Sequence, residues 1–394
     1  MNVYVQNIAS QVPETCYQQS FIRDRMKRWL NASRRLNRYI DTIYNQSSID
    51  KRHTVIADTA AFFKTSPGGR VSVPTTKVRN DMFTAAARIM CVDVAGNAIR
   101  GCANTDFSDI THLVTVSCTG FFNPGPDCEI IKALNLKKSV QRYNIGFMGC
   151  YAAFPALRLA HAICRADPGA VVLIVAVELC TLHAQLKEDS DSLRSGALFA
   201  DGAAAVVVSA KDPAPDSKVL ELDHFESTLM PDSEQDMAWT VGDTGFEMVL
   251  SQYIPRIIES NIRGIVEPLL ARRGVDISDV DHWAVHPGGR AVLDKIESSL
   301  GLDHSLEDSR SVLKQYGNMS SATVLFVLKR ILERPAIRTR ESVVSMAFGP
   351  GLTVELGFLS KITTPVRVRP EAEAAPTPLS LSHSSHNFQE RGPA

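Results

Sequence analysis

From residue 80 onward the chain alternates helix-like stretches with short apolar, β-rich runs at 111–117, 171–178, 203–209, 282–285, 343–348 and 352–359. Runs so short and so uniformly apolar need cover on both faces, which predicts a layered α/β architecture with helices packed over a largely buried sheet. The pattern also repeats. Ile110-Thr111-His112-Leu113-Val114-Thr115-Val116 resembles Val280-Asp281-His282-Trp283-Ala284-Val285-His286 at an offset of 170 residues. The same offset sets Cys150 opposite Ser320, each at the front of a helical stretch (151–164 and 322–332), and brings 172–175 close to 343–346. A strand–helix–strand order repeated at one spacing predicts two similar halves packed as one body, 1–210 and 211–362, with reactive groups meeting at strand ends between them.

The 394 residues carry 42 Lys+Arg against 43 Asp+Glu, a formal charge of -1. That balance excludes a protein built mainly to hold nucleic acid or coat an anionic membrane, leaving room for a local basic patch toward a phosphorylated ligand. The first residues, Met1-Asn2-Val3-Tyr4-Val5-Gln6-Asn7, lack a basic head followed by an apolar stretch. The apolar run at 170–177 is far shorter than the roughly 20 residues that cross a bilayer. A cytoplasmic protein without stable membrane insertion is expected. Eight cysteines with no CxxC pair predict reduced, mostly buried thiols and no metal site. Residues 18–45 read as helical, and loop punctuation follows at 65–69 and 73–76. Pro365, Pro370, Pro376, Pro378 and Pro393 among Ser, Ala, Glu and His predict a disordered tail over 363–394.

Four segments could carry chemistry. In Gly146-Phe147-Met148-Gly149-Cys150-Tyr151 the glycines allow a tight approach, and a cysteine at a helix start meets the positive end of the helix dipole, which favours thiolate. An isolated cysteine is by default a buried small hydrophobe. His286-Pro287-Gly288-Gly289 closes an apolar run, so the imidazole can project into a cleft, or serve structure alone. Asn318, within Tyr316-Gly317-Asn318-Met319-Ser320-Ser321, reads equally as a helix N-cap. Phe348-Gly349-Pro350-Gly351-Leu352-Thr353-Val354-Glu355 reads as a turn between strands.

In this order, and over about residues 40–360, the four segments resemble the chalcone-synthase-like (type III) polyketide synthases. The likeness is nearest to bacterial members that make alkylresorcinols or alkylpyrones from long fatty acyl starters. It implies an α/β, thiolase-like fold whose two halves form a five-layered αβαβα body. It implies Cys150, His286 and Asn318 as the catalytic triad, and Phe199, in Ala197-Leu198-Phe199-Ala200-Asp201-Gly202, as an aromatic gate between a coenzyme A tunnel and the reaction cavity. Cys118 would shape the pocket. Cys180, His183, Ser195 and Met248 would form a starter pocket unlike that of the plant enzymes, suited to an aliphatic chain. Lys51 and Arg52 would hold coenzyme A phosphates, with Gln46 where a lysine is common; an ordinary solvated basic pair is the competing reading. Asp201, Glu178 and Glu355 read as structural carboxylates. The resemblance further implies a homodimer with no cofactor, taking malonyl-CoA and an acyl group from coenzyme A, an acyl carrier protein or a fatty acid synthase.

The residue types fit that chemistry on their own terms. A Cys–His pair, as thiolate and imidazolium, can accept an acyl group from a thioester. Loss of carbon dioxide from a malonyl unit leaves an enolate, which imidazole and carboxamide donors stabilise and a carboxylate would oppose. Two rivals stay open: a single-step β-ketoacyl synthase III-like enzyme, and a thiol hydrolase, in which Cys…His…Asn is also the chain order.

Overall fold

A computed structural model describes residues 1–69, 71–365 and 392. Nine strands form one sheet: β1 (Tyr4–Gln11), β2 (His112–Ser117), β3 (Gln141–Gly146), β4 (Val171–Leu179), β5 (Asp201–Ser209), β6 (Lys218–Leu229), β7 (His282–Val285), β8 (Arg340–Gly349) and β9 (Thr353–Thr363). Their order is β7-β8-β9-β6-β1-β5-β4-β2-β3. β1 runs along most of β5 but meets β6 only at Tyr4↔Glu221 and Val5↔Leu220. The sheet therefore behaves as two blades hinged at that short contact.

Side-chain parity then creates five layers. On β4, Val172, Ile174 and Ala176 face a central cluster, while Val171, Leu173, Val175 and Val177 face an outer one. On β8, Val343 and Ala347 face the same central cluster, whereas Val344, Met346 and Phe348 face a second outer one. The central layer consists of α5 (Ala153–Ala166) and α10 (Thr323–Glu333). The outer layers are α3 (Thr76–Arg100) with α4 (Pro126–Ala133) on the N-terminal blade, and α7 (Ile254–Ala271) with α8 (Arg290–Leu300) on the other. Strands buried on both faces explain why their sequences are apolar throughout rather than alternating. Among the described residues α3 alone is long and apolar enough to cross a bilayer, and it buries Phe83, Ala87, Cys91, Val94 and Ala98 in the core.

The duplication is structural. His112 pairs in parallel with Val172, and His282 with Val343. The two central helices begin at Ala153 and Thr323, again 170 apart, each three residues after Cys150 or Ser320.

The expectations depart from the structure in places. The helical stretch at 18–45 is two helices, α1 (Gln19–Trp29) and α2 (Arg34–Asn45), because Asn31 turns with φ 46° and the Ser33 side chain caps α2 by accepting from Leu36 N. The body also extends past 362: Thr363 ends β9, and Thr364 N donates to Ser217 O. Of the rest of the expected tail, residues 366–391, 393 and 394 lie outside the described residues.

Candidate active site

Cys150 sits in the turn just before α5. Gly149, at φ +84°, makes that turn possible, and a Cβ there would lie 2.3 Å from Pro350 Cδ. A Cβ on Gly349 would reach 2.4 Å from Tyr151 Cδ1. Glycines on both sides thus let the Cys150 turn of one half interlock with the Gly-Pro-Gly turn of the other. Cys118 supports the turn from below, its Sγ accepting the Gly149 N–H at 2.9 Å.

Asn318 is held at both backbone ends by the segment around Phe199. Its N–H donates to Leu198 O (3.0 Å), and Ala200 N donates to its carbonyl (2.8 Å). Oδ1 accepts from Ser320 N at 2.8 Å, the first residue of the short helical turn that follows, whose N-cap is Met319. Oδ1 and the amide nitrogen each lie 4.0 Å from Cys150 Sγ, and with Oδ1 engaged by Ser320 the nitrogen is the end left to donate there. Asn318 is therefore not the N-cap its sequence allowed; it ties down the N–H that opens the turn and faces the cavity.

His286 directly follows β7, its N–H donating to Met346 O at 2.8 Å. The residue is 1% exposed, and among the described residues neither ring nitrogen has a hydrogen-bond partner. Burial pushes the Cys150 thiol up to about 12 and the His286 imidazolium down to about 3. Burial thus works against both members of the thiolate–imidazolium pair expected from sequence, and for the sulfur it outweighs what Ser320 and Asn318 return.

Cys150, His286 and Asn318 line one cavity of about 320 Å³, together with Phe199, Met248 and Phe348. Among the described residues no Asp or Glu lines it. Phe199 and Met248 also wall a second, inner pocket of about 80 Å³, which holds Cys180, His183 and Ser195 and is extended by Ile22, Met26 and Trp29 of α1. Cys180 bridges the two, packing with Cys150 and Phe199. His183 is fully tied: Nε2 pairs with Thr119 O (2.7 Å), and Nδ1 accepts from Phe246 N (3.0 Å), so Nε2 carries the proton. It is a wall of the pocket, held neutral by burial with its pKa down to about 4.

The basic pair at 51 and 52 does not form a phosphate site. Arg52 is 5% exposed, and its Nη1 donates to Gly196 O and Phe199 O, both at 2.8 Å, so it clamps the Phe199 segment from inside. The short ladder Lys51–His53 with Cys16–Gln18 alternates its faces, turning Arg52 inward and leaving Lys51 half-buried, away from the cavity lining. The cations that do line the cavity are Arg194 and Arg290. Arg290 directly follows His286-Pro287-Gly288-Gly289, so its position was visible in the sequence; its facing was not.

The carboxylates are structural. Glu355 receives both Arg158 Nη groups (2.8 and 3.2 Å) across the two halves, and Asp201 receives Thr181 N and Val55 N, both at 2.8 Å. Glu178 receives Cys118 N, Thr119 Oγ1 and Ser321 Oγ, and burial pushes its pKa up to about 7. An acid whose folded pKa lies above its ordinary 4.5 costs the fold stability on ionising, so stability should fall as pH rises from about 4.5 to about 7. At roughly 1.4 kcal/mol per pH unit, Glu178 accounts for about 3 kcal/mol of that fall. Urea unfolding of Glu178→Gln at pH 5 and pH 7.5 should show a shallower pH slope than the unsubstituted protein; equal slopes would contradict the assignment.

Comparison with known proteins adds five findings. Residues 2–213 match the model for the N-terminal domain of chalcone and stilbene synthases, and 221–363 the model for the C-terminal domain. The chain is 32% identical over 357 residues, 89% of each protein, to "Alpha-pyrone synthesis polyketide synthase-like Pks18" of Mycobacterium tuberculosis. It is 30% identical over 370 residues to "Probable polyketide synthase 1" of Dictyostelium discoideum, of which it spans only 12%. Among solved structures it is similar to the C-terminal type III polyketide synthase domain of Steely1 from Dictyostelium (TM-score 0.83, 29% identity, 92% of this chain and all of that one). It is also similar to PKS-I of the brown alga Ectocarpus siliculosus (TM-score 0.81, 30% identity, 92% and 98%).

Proposed function

Because this chain belongs to the chalcone and stilbene synthase family and is a type III polyketide synthase, we propose that it loads a long fatty acyl group from an acyl thioester onto Cys150, extends it with malonyl units, and cyclises the product. The observation that carries this reading is the shared cavity: thiol, imidazole and carboxamide line one chamber free of carboxylates, which meets an apolar pocket at Phe199 and Met248.

His286 takes the thiol proton as Cys150 Sγ attacks the thioester carbonyl, and the carrier thiol leaves with that proton. Burial, which disfavours both charged forms, favours creating the charged pair only as the bond forms. A malonyl thioester then enters the vacated space. Its C–C bond to the carboxylate breaks, carbon dioxide leaves, and the electron pair becomes an enolate whose oxygen accepts from the Asn318 amide and the His286 ring. The enolate carbon attacks the acyl thioester and Sγ departs, so the chain returns to the carrier two carbons longer. With no carboxylate on the walls, neither the incoming malonyl group nor the enolate meets like charge.

The aliphatic starter is assigned to the inner pocket, where Met248 and Met26 are flexible enough to yield to a chain. Of the two ring products considered, the α-pyrone synthesis named for the mycobacterial relative favours the alkylpyrone over the alkylresorcinol. We place this activity in a homodimer, since the edge strand β3 is largely exposed, with Tyr143 exposed on it and Phe121 and Phe147 exposed beside it.

Mass spectrometry of products from a panel of acyl-CoA starters with malonyl-CoA tests the reading. Several added two-carbon units support it, one unit indicates a single-step condensing enzyme, and free acid alone indicates a hydrolase. Filling the junction by Cys180→Phe should lower kcat/KM for long starters by about tenfold or more while sparing the shortest, since an added ring overpacks the passage. An equal loss across all chain lengths would remove the starter from the inner pocket.

A further inference from the structure

The balanced charge of the whole chain conceals a local excess. Over residues 19–45, which form the α1–α2 hairpin, seven Lys and Arg residues stand against two acids, Asp24 and Asp41, in a protein whose formal charge is -1. Both acids are already taken, Asp24 by Arg23 at 2.9 Å and Asp41 by Lys27. Four of the remaining cations, Arg28, Arg34, Arg35 and Arg38, are exposed and make no ion pair among the described residues; Arg28 reaches only the Asp24 carbonyl, at 3.3 Å. Their placement works against the fold itself. Arg34, Arg35 and Arg38 occupy the first two turns of α2, at the positive end of its dipole, with no acid in the first turn, and Arg38 lies one turn from both of the others. An external anion relieves repulsion of this kind.

We propose that this arginine face of the hairpin adsorbs to an anionic lipid surface. The inference rests on the long-acyl polyketide synthase reading and adds where such a substrate is met and its product released. The other side of the same hairpin walls both pockets: Ile22, Met26 and Trp29 line the inner one, Ile43 and Gln46 the triad cavity. Adsorption through the arginines therefore sets the wall of the acyl pocket against the phase in which a long alkyl chain and an alkylated ring dissolve. The composition of the face selects lipid over a protein partner. Among the exposed large hydrophobics only Tyr39 lies on the hairpin. A packed protein interface is built around an apolar centre, whereas a plane of headgroups needs charge alone. Guanidinium groups around no such centre fit adsorption without insertion.

The test is flotation of the full-length chain with vesicles of phosphatidylcholine containing about 30% phosphatidylglycerol, set against vesicles of phosphatidylcholine alone. The protein should float with the first and not with the second, and raised salt should release it, because headgroup attraction decays within a Debye length. Arg34→Glu, Arg35→Glu and Arg38→Glu together should weaken binding by about a hundredfold or more, at roughly fivefold per cation, whereas lysine at all three positions should retain most of it. Glutamate is favoured near a helix N-terminus, so the triple variant should fold; if it does not, Arg35→Gln with Arg38→Gln decides the matter, with a loss of about thirtyfold expected. No flotation with the anionic vesicles, equal flotation with both kinds, or unchanged binding by the glutamate variant overturns the proposal. Titration with an acidic acyl carrier protein covers the other class of partner: binding that the glutamate variant loses, without flotation on either vesicle, assigns the face to a protein and overturns the lipid assignment. Flotation needs no substrate and so stands apart from the parent reading. Turnover of a short acyl-CoA with malonyl-CoA in the absence of vesicles tests that reading by itself and should be equal in the unsubstituted protein and the glutamate variant, since none of the three arginines lines either pocket.

Discussion

Protein carrying Cys150→Ala should take up no acyl group when incubated with an acyl-CoA, where the unsubstituted protein gains the mass of one acyl chain in an intact-mass spectrum. The loss should be total within the range of the assay, a fall of at least about 10³, because removing the nucleophile removes the covalent route. The chain offers two other thiols nearby, and the geometry argues against both. Cys118 spends its sulfur on the Gly149 N–H, and burial with Glu178 close by holds its thiol well above the ordinary range. Cys180 is likewise held well above it by burial and the same carboxyl. Neither lines the cavity that His286 shares. Acylation of the variant at either position would refute the assignment.

Asn318 should separate the two half-reactions. Replacing it by alanine is expected to slow carbon dioxide release from malonyl-CoA by roughly 10² to 10³, the range seen when one donor to a developing oxyanion is lost. Acyl transfer to Cys150 should suffer far less, since the thiol proton goes to His286. Alanine also removes the acceptor of the buried Ser320 N–H, at about 1 to 3 kcal/mol of stability. Asn318→Asp tests the electrostatic part: it keeps that acceptor but puts a negative charge where the enolate forms, and should release carbon dioxide no faster than the alanine variant. Release near the unsubstituted rate by the aspartate variant would assign Asn318 to structure alone.

The layers were legible in sequence because strands buried on both faces leave runs such as Val171–Leu179, and because the 170-residue repeat marks the two halves. Strands lacking that signature were missed. β3 is mostly exposed and polar, and β6 is apolar only near its start. Of the site, Cys150, His286 and Asn318 stood out because each follows or precedes glycines that only a tight turn requires. Arg52 misled because a short ladder hides which of two adjacent cations turns inward, a fact set by its partners Gly196 and Phe199, 144 and 147 residues away. The desolvation acting on the thiol and imidazole comes from burial by both halves at once, which no local motif records.

The turns carrying Cys150 and Pro350 fit like two teeth of a gear, each leaving only a hydrogen's width for the other. Neither loop can therefore drift alone: a methyl gained at 149 or 349 demands a retreat by the opposite half. The two halves, which repeat one plan, are bound to change together at the place where the chemistry happens.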